Sequence, residues 1–131
     1  MSCFWDSLIR SISNDDKDEF FNTVVNAPLN PHNFVVILKE VNRETENVLW
    51  NNEELTKQQI KENKEAINEY NKDLTSAGYY CSTFDPFLFL LVEYLEIEIN
   101  HNYDGNMIIY KNKKNNRYII KISSDKGHCW C

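Results

Sequence analysis

The chain has 131 residues, 42% of them hydrophobic and 13% aromatic, proportions that exclude a disordered chain and fit a single domain spanning 1–131. A formal net charge of −6 argues against a nucleic-acid-binding surface, because phosphate contacts need clustered Lys and Arg, so no nucleic-acid partner is expected. The longest apolar run, Phe87 to Val92, is far short of the roughly 20 residues of a membrane-spanning helix, so no membrane partner is expected.

In chain order, segment 3–13 carries Phe4, Leu8 and Ile12 at helical spacing, with Trp5 and Ile9 beside them, which predicts a helix with one apolar face. Asn14 or Asp15 reads as the N-cap of a second helix running to about Val25. The stretch Asn26-Ala27-Pro28-Leu29-Asn30-Pro31 breaks it, since proline cannot continue a helix. Segment 33–43 holds the run Phe34-Val35-Val36-Ile37-Leu38. Its periodicity fits a buried helix or a strand, and the absence of a turn signal after it favours helix.

Residues 51–76 predict a long, mostly solvated helix opening at Asn52-Glu53-Glu54-Leu55, with acid in the turn where the helix dipole favours it. Gly78 ends it. Thr83 and Pro86 then suit the cap and first turn of a helix over 86–95. That helix is apolar nearly all round, which predicts the central buried one.

From residue 96 the period changes from helical to alternating. Ile97, Ile99 and His101 share one strand face, and Asp104-Gly105 marks a turn. Residues 107–110 and 118–122 predict two strands paired across a tip carrying Lys111, Lys113, Lys114 and Arg117. These charges read as a solvated hairpin tip. The fold class that results is α+β: helices followed by a small antiparallel sheet with one buried central helix.

For chemistry, Cys3 opens the first predicted helix, where free N–H groups and the positive end of the dipole stabilise a thiolate. The same groups suit an oxyanion. Cys81, before another helix, meets the same electrostatic criterion. The candidate bases for a thiolate nucleophile are His32, His101 and His128. His128, Cys129 and Cys131, with Cys81 or Cys3, are an alternative metal set. Cys-x-Cys is short for one tetrahedral zinc and no paired Cys-x-x-Cys knuckle is present. No Gly-rich phosphate loop occurs. Neither a metal nor a cofactor is therefore expected.

The opening Cys3-Phe4-Trp5-Asp6-Ser7-Leu8-Ile9 and the closing Gly127-His128-Cys129-Trp130 resemble the two ends of viral ovarian-tumour-type (OTU-like), papain-related cysteine proteases. The order of elements between them is similar as well, with an apolar helix at Phe87–Leu95 entering a strand and hairpin. The resemblance implies Cys3 as nucleophile and His128 as its base. It implies cleavage of isopeptide or peptide bonds in conjugates of ubiquitin or ubiquitin-like proteins. The alternative is a non-catalytic interaction module, a viral effector that keeps the fold. Residues 1–6 have no basic and apolar regions of signal-peptide type. The expected location is thus the cytoplasm, the host's for a viral protein, with the four cysteines reduced.

Overall fold

A computed structural model describes residues 3–21, 29–70, 81–124 and 129–130. Helix α1 spans Cys3–Ser11. It buries Phe4, Trp5, Leu8 and Ile9, with Ile12 just beyond its end, and leaves Asp6 and Arg10 in solvent. Helix α2 (Asn14–Phe20) starts one or two residues earlier than it would after the Asn14 or Asp15 cap that its sequence suggests. Ser13 is the cap, its Oγ accepting from the backbone of Asp16 at 3.2 Å. The helix ends at Phe20; the predicted extension beyond residue 21 lies outside the described residues.

Helix α3 (Pro31–Glu40) resolves the ambiguity of the Phe34–Leu38 run in favour of helix. The deciding features lie upstream. Asn30 caps the helix, its Oδ1 accepting from Asn33 at 2.8 Å, and Pro31 occupies the first turn with its φ already helical. Phe34, Val35 and Leu38 face the core.

The next segment departs from expectation. Strands β1 (Val48–Trp50) and β2 (Glu53–Glu54) form a tight antiparallel hairpin where the helix was predicted to begin. Asn51 and Asn52 make its two-residue turn with φ of 50° and 68°, the left-handed values that a type I′ turn needs and asparagine tolerates. The side chain of Asn51 also accepts from the backbone of Ile109 at 2.8 Å, extending the ladder to another strand. Helix α4 (Lys57–Glu69) begins only after Thr56, which forms a reciprocal capping box with Gln59.

Helix α5 (Cys81–Leu95) is the buried central helix. Residues 87–92 and Leu95 are all buried. It begins earlier than Thr83 and Pro86 suggest, so Pro86 lies inside it and Cys81 opens it. Glu96, at φ 53°, ends the helix and leads into β3 (Glu98–Tyr103). Ile97, Ile99 and His101 are all buried, as the alternation requires. Asp104 and Gly105, at φ 49° and 86°, turn the chain into β4 (Asn106–Asn112).

Strand β5 (Ile119–Ser124) does not pair with β4, and residues 113–118 are not a hairpin tip. The segment passes the start of β3, with Arg117 N bonded to Glu96 O at 2.9 Å and Glu98 N to Tyr118 O at 3.0 Å. Strands β4 and β5 therefore flank β3, antiparallel and parallel to it respectively. With β6 (Cys129–Trp130) the sheet has six strands in the order β2-β1-β4-β3-β5-β6. It is a mixed sheet, not the antiparallel one expected. The α+β class stands in its coarser form, helices packed on a sheet. The element order is corrected, because the β1–β2 hairpin interrupts the helices.

The physical cause of the crossing is a set of side-chain bonds. Asn112, buried, donates to Val92 O on α5 at 2.9 Å and accepts from Lys114 N at 2.8 Å. Arg117 donates from Nε and Nη2 to Leu95 O, at 2.9 and 2.6 Å, a cation placed at the C-terminus of α5. Arg117, although partly exposed, thus ties the loop to the C-terminus of the central helix.

Candidate functional site

Helix α1 opens at Cys3, so the backbone of that residue stands at a helix N-terminus as its sequence suggests. The opposite end is anchored. Just beyond α1, the backbone N–H of Ser13 donates to Tyr118 Oη at 3.3 Å, tying this end to the start of β5. The helix packs along β5 and β6 and against α3.

Strand β6 pairs with the far end of β5, Cys129 opposite Ser124 and Trp130 opposite Ser123. Helix α1 contacts β6 as well as β5. The helix that opens at Cys3 and the strand that directly follows His128 in sequence are thus in contact. His128 itself lies outside the described residues.

Next to β6, on β3 and β5, two polar side chains are buried. His101 Nε2 and Ser124 Oγ are 2.5 Å apart, and neither residue is more than 1% exposed. Burial pushes the His101 imidazole down to about 4, so it is neutral at physiological pH. A fully buried imidazole of such low basicity is out of reach of a substrate and a poor proton acceptor at neutral pH. Of the three candidate bases, His101 is therefore a packing residue of the sheet. His32 is exposed on the first turn of α3.

Sequence reading overlooked two features near α1. Asp16, buried, binds Arg117 through both carboxylate oxygens, Oδ1 at 3.0 Å and Oδ2 at 2.8 Å, and accepts from Tyr118 Oη at 2.5 Å. The carboxylate raises the pKa of the Arg117 guanidinium. Burial, then the bond to Asp16, raises that of the Tyr118 phenol. Because Tyr118 also holds Ser13, the network fixes the tether of α1. An isolated Asp in a run of charges carries no sequence signal for this. The second feature is Ser7, fully buried on α1 with no hydrogen-bond partner for its hydroxyl.

A cleft of about 200 Å³ opens between β1, α4 and α5. Trp50, Leu55 and Phe89 form its apolar wall, and Gln59, Asn63 and Asp85 its polar edge. Strand β1 stands three strands from β5, about 14 Å across the sheet, so the cleft is separate from the α1–β6 end. Among the described residues, no group of three His, Cys, Asp or Glu side chains is placed to hold a metal ion. The set weighed from sequence rests on His128 and Cys131, outside the described residues, and on Cys3, Cys81 and Cys129, whose side chains are likewise not described. Among the described residues, no helix is long and apolar enough to cross a membrane.

No protein-family model, no curated protein and no solved structure matches this chain.

Proposed function

We propose that the protein is a thiol-dependent hydrolase of the OTU-like kind, with Cys3 as nucleophile and His128 as its base, acting on conjugates of ubiquitin or a ubiquitin-like protein in the cytoplasm. The observation that carries the reading is the packing of α1 along β5 and β6. A helix opened by a cysteine and a strand preceded by a histidine lie side by side, although their sequences are at opposite ends of the chain. The four leading N–H groups of a helix lack intrahelical acceptors. At α1 they favour a thiolate and suit the oxyanion formed when it attacks.

The reaction follows from these roles. The Cys3 thiolate adds to the carbonyl carbon of the isopeptide bond, and the carbonyl electrons move to an oxygen held by the N–H groups of α1. Collapse of this intermediate breaks the C–N bond while His128, as imidazolium, gives its proton to the leaving amine. Water, deprotonated by His128, then adds to the thioester and releases the carboxylate and the thiolate.

The test is labelling by ubiquitin with an electrophilic C-terminus, read by intact mass. The native chain and Cys81→Ala should form an adduct, Cys3→Ala should form none, and His128→Ala should react more slowly. No adduct from the native chain at any pH between about 6 and 9, which spans the cysteine and histidine ranges, would overturn the reading in favour of a non-catalytic interaction module.

A further inference from the structure

We propose that the cleft between β1, α4 and α5 binds a small organic cation, an ammonium group carried on an apolar body of about one ring, with the carboxylate of Asp85 as its counter-charge. This site is independent of the assignment of Cys3. The first observation is size. The cleft has a volume of about 200 Å³, and an apolar cavity of about 150 Å³ holds one benzene ring. A single ring with a short substituent therefore fits.

The lining decides the chemistry. Trp50, Leu55, Pro86 and Phe89 supply apolar surface. The rings of Trp50 and Phe89 stand at 80° to each other with centroids 5.7 Å apart, so a ligand there meets two π-systems of different orientation. Such rings attract cations through their quadrupole. The polar lining residues are not equivalent. Gln59 spends its Oε1 on the backbone N–H of Thr56 at 2.8 Å, in the cap of α4. Trp50 Nε1 and Asn63 Nδ2 are buried nitrogens, so these donors are not presented to a ligand in the cleft. The charged group of the lining is Asp85, half-buried on α5. Tyr110 Oη donates to its Oδ1 at 3.0 Å, which orients the carboxylate without exhausting its roughly four acceptor positions. None of the described lining residues is Lys, Arg or His, so the described lining carries a negative charge and no positive one. The net charge of −6 on the whole chain adds a field of the same sign. A cation gains from the carboxylate and the rings together, whereas a neutral ring gains only from the apolar wall.

The experiment titrates the native chain with benzylamine and with its neutral analogue benzyl alcohol at neutral pH. Binding is followed by proton–nitrogen NMR, with the Trp50 indole N–H assigned from its loss in Trp50→Phe. Benzylamine should bind saturably with a Kd on the order of 1 mM, its shifts concentrated at Trp50, Leu55 and Phe89. Benzyl alcohol should bind about tenfold more weakly. Asp85→Asn keeps an acceptor for Tyr110, and it should weaken benzylamine by the same factor while leaving benzyl alcohol unchanged. An amide of Nα-acetyl-lysine is titrated beside them to distinguish the source of the cation. Tighter binding than benzylamine assigns the site to a polypeptide side chain and weaker binding to a free amine, and either result supports the cation site. Equal affinity of the native chain for benzylamine and benzyl alcohol overturns the proposal, and that comparison needs no variant. The absence of a saturable shift at the cleft, or benzylamine binding that Asp85→Asn leaves unmoved, overturns it as well.

Discussion

The guanidinium of Arg117 joins the buried carboxylate of Asp16 on α2 to the last carbonyl of the central helix, Leu95 O. One side chain therefore locks three separate elements: α2, α5 and the crossing from β4 to β5. Asp16 is 2% exposed in its side chain and Arg117 35%, so the acid is the buried member of the pair. Removing one partner of a buried ion pair leaves the other uncompensated, at a cost of about 3–5 kcal/mol. The partial exposure of Arg117 places this pair near the lower end. Asp16→Ala should lower the unfolding free energy in urea by about 3 kcal/mol, and Tyr118→Phe by about half as much. A loss below about 1 kcal/mol for Asp16→Ala would show that the network is not a tether.

His101 makes stability depend on pH. Its pKa in the fold is depressed from 6.5 to about 4, so the unfolded chain binds the extra proton between those values. Stability contributed by the neutral ring is fully present above about 6.5 and falls as pH drops toward 4. By pH 5 the loss from this group is about 2 kcal/mol. Urea unfolding at pH 7.5 and 5.0 measures it as the difference in slope between the native chain and His101→Gln. Equal pH slopes in the two proteins would refute the assignment.

The two hairpin turns give a paired prediction. Asn52 at φ 68° and Gly105 at φ 86° both hold left-handed backbone, which costs a residue with a Cβ about 1–2 kcal/mol. A Cβ at Gly105 would meet nothing within 4 Å, so Gly105→Ala should cost only that conformational amount, about 1 kcal/mol. Asn52→Gly should be neutral or stabilising, and Asn52→Val should destabilise by roughly 2 kcal/mol because its branched Cβ disfavours this region further. Thermal melts of the three variants check the ranking.

Trp5 anchors α1 in the core. Its ring meets Phe87 edge-on at 5.0 Å, Phe4 at 5.2 Å and Phe34 at 6.1 Å. Truncation of a buried tryptophan costs about 3–5 kcal/mol. Trp5→Ala should therefore unfold the chain at lower urea and reduce labelling by the electrophilic ubiquitin in step with the loss of folded protein. Trp5→Phe, which keeps an aromatic edge, should lose less of both.

Much of the local structure was legible from residue order. The apolar face of α1, the all-round apolar α5, the alternation of Ile97, Ile99 and His101, and the Asp104-Gly105 turn depend on neighbours within a few positions. The hairpin at 48–54 was legible only in part. Its Asn51-Asn52 pair is a turn signal, but the acidic residues after it also suit the start of a helix. What decides between them is β4, to which β1 adds as a third strand, with Trp50 opposite Tyr110.

Sequence by itself determined which segments have a helical or alternating period, where the strongest turns fall and which faces are apolar. Tertiary structure alone decided that β5 joins β3 in parallel, that Arg117 binds the end of α5 instead of capping a hairpin tip, and that α1 meets β6. The reason is the range of the forces involved. Caps, turns and periodicity are satisfied by atoms a few residues apart. Strand order and the pairing of Asp16 with Arg117, 101 residues away in the chain, depend on how the whole arrangement buries apolar surface and satisfies each buried polar group.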